Sequence, residues 1–240
     1  MIEVLAHRLV SSLLGKVLIG TFIGIGSLRY SAGIYFWKQT EQLERPQYTV
    51  LETLSNGVEL RRYEPYIIAE TAVEGEGFRE PTREGFQNCA GYIFGKNKAR
   101  NGRTAEKMAM TAPVRVESQV PSEKMAMTAP VRIAGGAKKN TKVSFVIGSK
   151  YSLKTVPTPL DKNVKLREVP AHTLAVRSFS GPPPKDERVK KERAMLEESL
   201  LKANLKPKND DTLVYGYHDP FITPNILRRN EVAVLVDGKI

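Results

Sequence analysis

Cysteine is almost missing from this chain. Cys89 is the only one in 240 residues, so no intrachain disulfide and no cysteine-built zinc site can exist. Histidine is nearly as scarce: His7, His172 and His218 leave little material for a multi-histidine metal centre. Trp37 is the single tryptophan. Catalytic signatures are missing too: there is no HExxH, no GxSxG, no Walker loop and no GxGxxG. General acids need no motif, but nothing here calls for an enzyme, and the expectation is a binding protein. Disulfide scaffolds, zinc fingers, collagen-like chains and coiled coils are all disfavoured.

What is present reads as globular. Hydrophobic residues make up 41% and charged residues 26%, which separates the chain from disordered sequences. Its length suffices for one large or two small domains. Acids are outnumbered, 26 against 37 Lys+Arg, for a net charge of +11.

One long apolar run stands out. Residues 9–28, LVSSLLGKVLIGTFIGIGSL, contain a single charge, Lys16, and about 20 apolar residues span a bilayer core. Tyr30, Tyr35, Phe36 and Trp37 follow as an interfacial belt would. Residues 1–37 therefore read as a membrane anchor or signal segment, and the expectation is a single-pass, membrane-anchored protein with an N-terminal hydrophobic helix. Cleavage at Ser31-Ala32-Gly33 stays open. Lys and Arg flank the run on both sides, so orientation stays open too. Residues 38–47, KQTEQLERPQ, read as a linker, and 48–240 as the folded domain.

That domain contains an internal repeat. Residues 58–75 (VELRRYEPYIIAETAVEG) align without a gap on 164–181 (VKLREVPAHTLAVRSFSG). Val58/Val164, Leu60/Leu166, Arg61/Arg167, Ala69/Ala175 and Gly75/Gly181 are identical. Each copy shows period-two alternation broken by a proline turn, the signal of two short strands. A helical stretch follows each. In the first, Thr82, Phe86, Cys89, Ala90 and Ile93 share a face; in the second, Val189, Leu196, Leu200 and Ala203 do. More strand follows, near 107–116, 124–133, 212–217 and 231–236. The sum is an α+β architecture: a duplicated strand–helix–strand unit closing a curved antiparallel sheet with two helices against it.

A nine-residue string, EKMAMTAPV, occurs twice, at 106–114 and 123–131. In a strand, Met108 and Met110 would share one face. They read either as an adaptable wall for a flat ligand or as core filler.

Taken together, GVELRRYEPYIIAET, YIFGKN, the two EKMAMTAPV strings, VKLREVPAHTLAVRSFSG and LRRNEVAVL resemble the SOUL/heme-binding protein family, in order along about 48–240. The resemblance implies a distorted antiparallel β-barrel with two helices, built from a duplicated βαββ unit related to gyrase-inhibitor-like domains. It also implies binding of heme or another tetrapyrrole in an apolar groove beside the first helix, for buffering or transport. Arg83 matches the helix arginine that pairs with a propionate, as bidentate guanidinium chemistry suits a carboxylate. Phe86, Ala90 and Ile93 would form the wall, with Met108 and Met110 beside it. A helix lysine of the heme-binding branch is Gly91 here, and an early-strand histidine of some relatives is Arg62, so the resemblance supplies no axial iron ligand. His172 and His218 read as structural. The alternative is a non-heme interaction or small-molecule-sensing module on the same fold; a further one is an enzyme acting on a tetrapyrrole.

Five basic residues between Arg132 and Lys150 have no acid among them. Acidic lipid headgroups are the expected partner of such a patch. Nucleic acid is not expected, since no aromatic RNA-binding pattern or helix-turn-helix is legible.

Overall fold

Alternating apolar residues become strands, and the face they present decides the architecture. The computed structural model describes residues 13–74, 78–100, 105–119 and 140–237. Helix α1 (Leu13–Glu41) leads into β1 (Tyr48–Thr53), β2 (Val58–Tyr63) and β3 (Tyr66–Glu74). Helix α2 (Arg79–Ile93), β4 (Asn97–Lys98), β5 (Val114–Gln119), β6 (Asn140–Val146) and β7 (Thr158–Pro159) follow. The chain continues through β8 (Val164–Val169), β9 (His172–Phe179), α3 (Asp186–Lys202), β10 (Asp211–Gly216) and β11 (Asn230–Val236).

Nine strands form one antiparallel sheet in the order β1-β2-β9-β11-β10-β5-β6-β3-β8; β4 and β7 pair separately. The two aligned sequence segments are the strand pairs β2–β3 and β8–β9. Neither folds back on itself as a hairpin. β2 pairs with β9 (Tyr63↔His172) and β3 with β8 (Tyr66↔Val169). Glu64-Pro65 and Pro170-Ala171 are therefore corners, where a rigid proline turns the chain from one pairing to another. Because Pro170-Ala171 joins strands far apart in sheet order, the sheet must curl. It curls into a half-barrel, and β1 and β8 remain as edges. The closed barrel expected from the family resemblance is corrected to this open, curled sheet.

The outer face is apolar and covered. α2 packs over β3 and β6, α3 over β9 and β11. Val58, Leu60, Ala175, Leu196, Leu200 and Val234 pack beneath α3. Ala69, Cys89, Tyr92, Ile93, Met108 and Phe145 pack beneath α2. Val116, Val143, Val189, Val214 and Val232 join the two. α3 begins with Asp186 and Glu187 and ends with Lys202, charges that suit the helix dipole.

The N-terminal expectation needs correction. α1 is present as one continuous helix of 29 residues, and its sequence includes Arg29 and Lys38 as well as several glycines. Among the described residues, no helix is long and apolar enough to cross a membrane. The single-pass, membrane-anchored reading falls with that finding. The helix also runs on through Glu41, into residues read as linker, and docks on the domain. Gly33 is buried against the Ile222 carbonyl and the Pro224 ring, where a Cβ would lie 2.7 Å from the Ile222 carbonyl oxygen. Glu41 accepts a hydrogen bond from His218 Nε2 at 2.9 Å, and Arg29 donates to the Phe221 carbonyl at 3.4 Å.

Of the basic patch, only Lys142 and Lys150 are among the described residues; Arg132, Lys138 and Lys139 lie outside them. Lys150 lies 4.8 Å from the Tyr151 ring centroid, and Lys142 approaches Glu117 at 3.9 Å. Residues 120–139, with the second EKMAMTAPV string, lie outside the described residues.

Candidate functional site

α2 sets the first candidate surface. Its sheet-facing side is fixed by small residues. Gly85 is buried so closely that a Cβ would meet Val143 Cβ and Cγ2 at 2.5 Å. One turn on, the Cys89 thiol points at the Ala69 and Val143 carbonyls, 3.5 and 3.6 Å away. Burial pushes this thiol up to about 12, so it is a structural group rather than a nucleophile. Tyr92 donates to the Pro157 carbonyl at 2.8 Å. At the other end, the Phe78 N–H donates to Asp186 at 3.0 Å, tying the starts of α2 and α3 together.

Six residues were expected to form a ligand groove here, and the fold divides them. Ile93, Ala90 and Met108 are 0%, 8% and 6% exposed and are spent on the core beneath α2. Their side chains pack in the core cluster beneath α2 with Ala69 and Phe145. Arg83, Phe86 and Met110 remain at the surface. Arg83 has no hydrogen bond or ion pair among the described residues. One turn later, the Phe86 ring stands edge-on to Phe145, centroids 5.1 Å apart. Phe94 is exposed farther along the helix. The 107–113 segment is not the expected strand. The Met108 N–H donates to the Ile93 carbonyl, and the chain bridges to Glu44 at Thr111 before β5 begins. Met108 therefore turns inward and Met110 outward.

The inner face of the curl is the second candidate surface, and most of it was missed in the sequence. Leu174, Val176, Leu213, Ala233 and the aromatic rings of Tyr63, Tyr215 and Tyr217 line it. At its centre sits Glu231, fully buried. Its Oε1 accepts from Arg61 Nη1 (2.9 Å), Arg229 Nη2 (2.6 Å) and Ser178 Oγ (2.9 Å); its Oε2 accepts from the Tyr217 hydroxyl (2.6 Å). Burial alone would raise this carboxyl. The Arg61 and Arg229 charges and the Tyr217 hydrogen bond outweigh it and hold Glu231 below the usual carboxylate range. Arg61 and Arg229 lie over Tyr48 and Tyr217, 4.7 and 4.6 Å from the ring centroids.

Both described histidines have structural partners. His172 stacks on Tyr63 at 5.4 Å, and its Nδ1–H donates to the Pro170 carbonyl at 2.8 Å. His218 Nδ1 accepts the Arg229 N–H at 3.1 Å while Nε2–H donates to Glu41. Burial lowers both. Among the described residues, no group of three or more acidic, histidine or cysteine side chains could hold a metal ion. The signal for the inner face was the strict alternation Leu213, Tyr215, Tyr217 opposite Glu231 and Ala233, legible only once the strand pairing is known.

Comparison with known proteins adds a family and a fold. The sequence profile described as SOUL heme-binding protein matches residues 43–235. Nothing among curated proteins matches the chain. Among solved structures, a hydrolase from Listeria innocua superposes with a TM-score of 0.52 at 9% identity, covering 84% of this chain and 98% of that one. Another Listeria innocua structure titled a hydrolase gives a TM-score of 0.50 at 10% identity, with 84% and 98% covered. At such identities the likeness concerns the fold alone.

Proposed function

The chain belongs to the SOUL heme-binding protein family, and from that membership we propose that it binds heme or a related tetrapyrrole on the exposed flank of α2. In this reading it buffers or carries the ligand and does not transform it. The observation that supports the site is Arg83, exposed and without a partner among the described residues, one helical turn before the half-exposed Phe86 ring. A porphyrin is a flat apolar disc with carboxylates at one edge. Phe86, Phe94 and Met110 offer it apolar surface, and Arg83 offers a propionate a bidentate cation.

The fit is to the disc and its carboxylates, not to iron. His172 lies on the inner face and His218 beside α1, so neither reaches this flank. Bound heme would bring iron redox and ligand chemistry; this chain's part is to hold the macrocycle by apolar contact and one charge pair. Such a surface predicts weak, exchangeable binding.

Hemin titration of the full chain, followed at the Soret band, tests this. Saturable binding is expected, and Arg83→Glu should weaken it about tenfold, since an attraction of roughly 1 kcal/mol becomes a repulsion. No saturable shift, or equal affinity in Arg83→Glu, refutes the reading. The second reading, a small-molecule module without heme, is favoured by a different observation: a cavity on the inner face of the sheet.

A further inference from the structure

α1 meets the rest of the chain along one side. Gly33, Trp37 and Glu41 recur every four residues and so share a helix face. Gly33 packs on the Ile222 carbonyl and the Pro224 ring, Trp37 is half-buried, and Glu41 accepts from His218. Earlier on the helix, residues 26–32 are all exposed.

The contact with His218 depends on one protonation state. The His218 side chain is only 1% exposed. Its Nδ1 accepts the Arg229 backbone N–H at 3.1 Å, and its Nε2–H donates to Glu41 Oε1 at 2.9 Å. One ring nitrogen must accept while the other donates, and only the neutral imidazole does both. A second proton would sit on Nδ1, facing the Arg229 N–H, and would break that bond. Three charges act on the ring. Glu41 favours the imidazolium, but Arg45 Nη2 shares the same Oε1 at 3.0 Å. Arg45, from the turn after α1, and Arg229, just before β11, oppose it. Asp219, the next residue, is spent on the Phe221 and Ile222 N–H groups. Burial, with the two arginine charges, outweighs Glu41 and holds His218 below the usual histidine range.

We propose that α1 is a pH-released arm with His218 as its latch. With the imidazole neutral, the arm lies on the domain. With the imidazole protonated, it lifts off and uncovers Ile222 and Pro224 beside the exposed Phe221 and Ile226. The turn after α1 stays in place, because Glu44 bridges Thr111 and accepts the Ala112 N–H, and Leu43 packs on the inner face. Glu41 stays ionised throughout: burial alone would raise its carboxyl, but the hydrogen bonds and charges of Arg45 and His218 hold it below the usual range. A released His218 titrates at about 6.5. Docking is therefore strongest above that pH, and weakens by up to about tenfold per pH unit below it until the docked value is reached.

Trp37 is the only tryptophan in the chain and lies on the docking face, so its emission reports the arm. The full chain is titrated from about pH 8 to about pH 5, across the histidine range, with Trp37 emission and far-UV circular dichroism recorded together. A red shift with a midpoint below about 6.5 is expected, with the strand signal unchanged. His218→Asn keeps an acceptor for the Arg229 N–H but does not titrate, and should abolish the shift. Gly33→Leu, whose side chain would meet the Ile222 carbonyl, should show the released emission already at the alkaline end. Emission independent of pH, a shift that survives in His218→Asn, or a shift that comes only with loss of strand signal overturns the proposal. Emission in Gly33→Leu identical to wild type overturns the docking on which it rests.

Discussion

Replacing Glu231 by Gln removes one charge from the centre of the inner face and keeps the shape. The carboxylate is fully buried and accepts hydrogen bonds from Arg61, Arg229, Ser178 and Tyr217. A glutamine can accept at one oxygen only, and its amide N–H groups would face guanidinium donors. Breaking a buried pair by removing one partner typically costs about 3–5 kcal/mol. Two features argue for the lower end. Arg61 keeps Glu59 at 2.7 Å, and the Arg229 side chain, 29% exposed, can turn to water. We expect a loss of about 3 kcal/mol. With a urea slope of about 2–3 kcal/mol/M for a domain of this size, the midpoint should fall by about 1 M. The pH dependence sharpens the test. Glu231 titrates lower in the folded than in the unfolded chain. Its contribution is therefore complete above the unfolded carboxylate value of about 4.5 and is lost as pH falls through the folded value. Wild-type protein should lose stability on acidification below that point more steeply than Glu231→Gln. A midpoint shift under about 0.3 M, or identical acid profiles, would refute the account of the inner face.

Two more tests concern α2. Gly85→Ala gains roughly 1 kcal/mol of helix propensity, but its Cβ meets Val143 Cβ and Cγ2 at 2.5 Å. Those atoms are anchored to a central strand and cannot swing away, and overpacking costs about 1–3 kcal/mol. The variant should be less stable in urea; a stabilised variant would show that helix and sheet are not in such close contact. Cys89 should react with a thiol reagent such as DTNB only as fast as the protein unfolds, because its thiol is buried and pushed up to about 12. Rapid reaction in native buffer would contradict that placement.

The local pattern was legible wherever one face of an element is simply apolar. The 58–63 and 66–73 alternations are β2 and β3, the Cys89–Ile93 face is the buried side of α2, and the Val189–Leu196–Leu200 face is that of α3. The candidate site was only half legible. Helical spacing put Arg83, Phe86, Ala90 and Ile93 on neighbouring positions, but spacing does not say where the sheet ends. That boundary runs between Phe86, at 40% exposure, and Ala90, at 8%. Met108 and Met110 were separated by a hydrogen bond from the Met108 N–H to the Ile93 carbonyl, a contact invisible in a strand-like string. The N-terminal run misled because a 20-residue apolar window reports local composition alone, and no helix among the described residues is long and apolar enough to cross a membrane. Such a window also cannot see that Gly33, Glu41 and His218 bring the helix onto the domain.

By itself the sequence determined the α+β character, the positions of most strands and helices, and the family, because these depend on periodicity and on short strings that local sterics and burial impose. The tertiary structure alone decided which of those elements pair, that the sheet curls without closing, and that Arg61, Tyr63, Tyr217 and Glu231 meet on its inner face. The reason is separation. Arg61 and Glu231 lie 170 residues apart along the chain, and no local rule relates them. Only the cross-pairing of β2 with β9 and of β9 with β11 brings the two charges within hydrogen-bond reach.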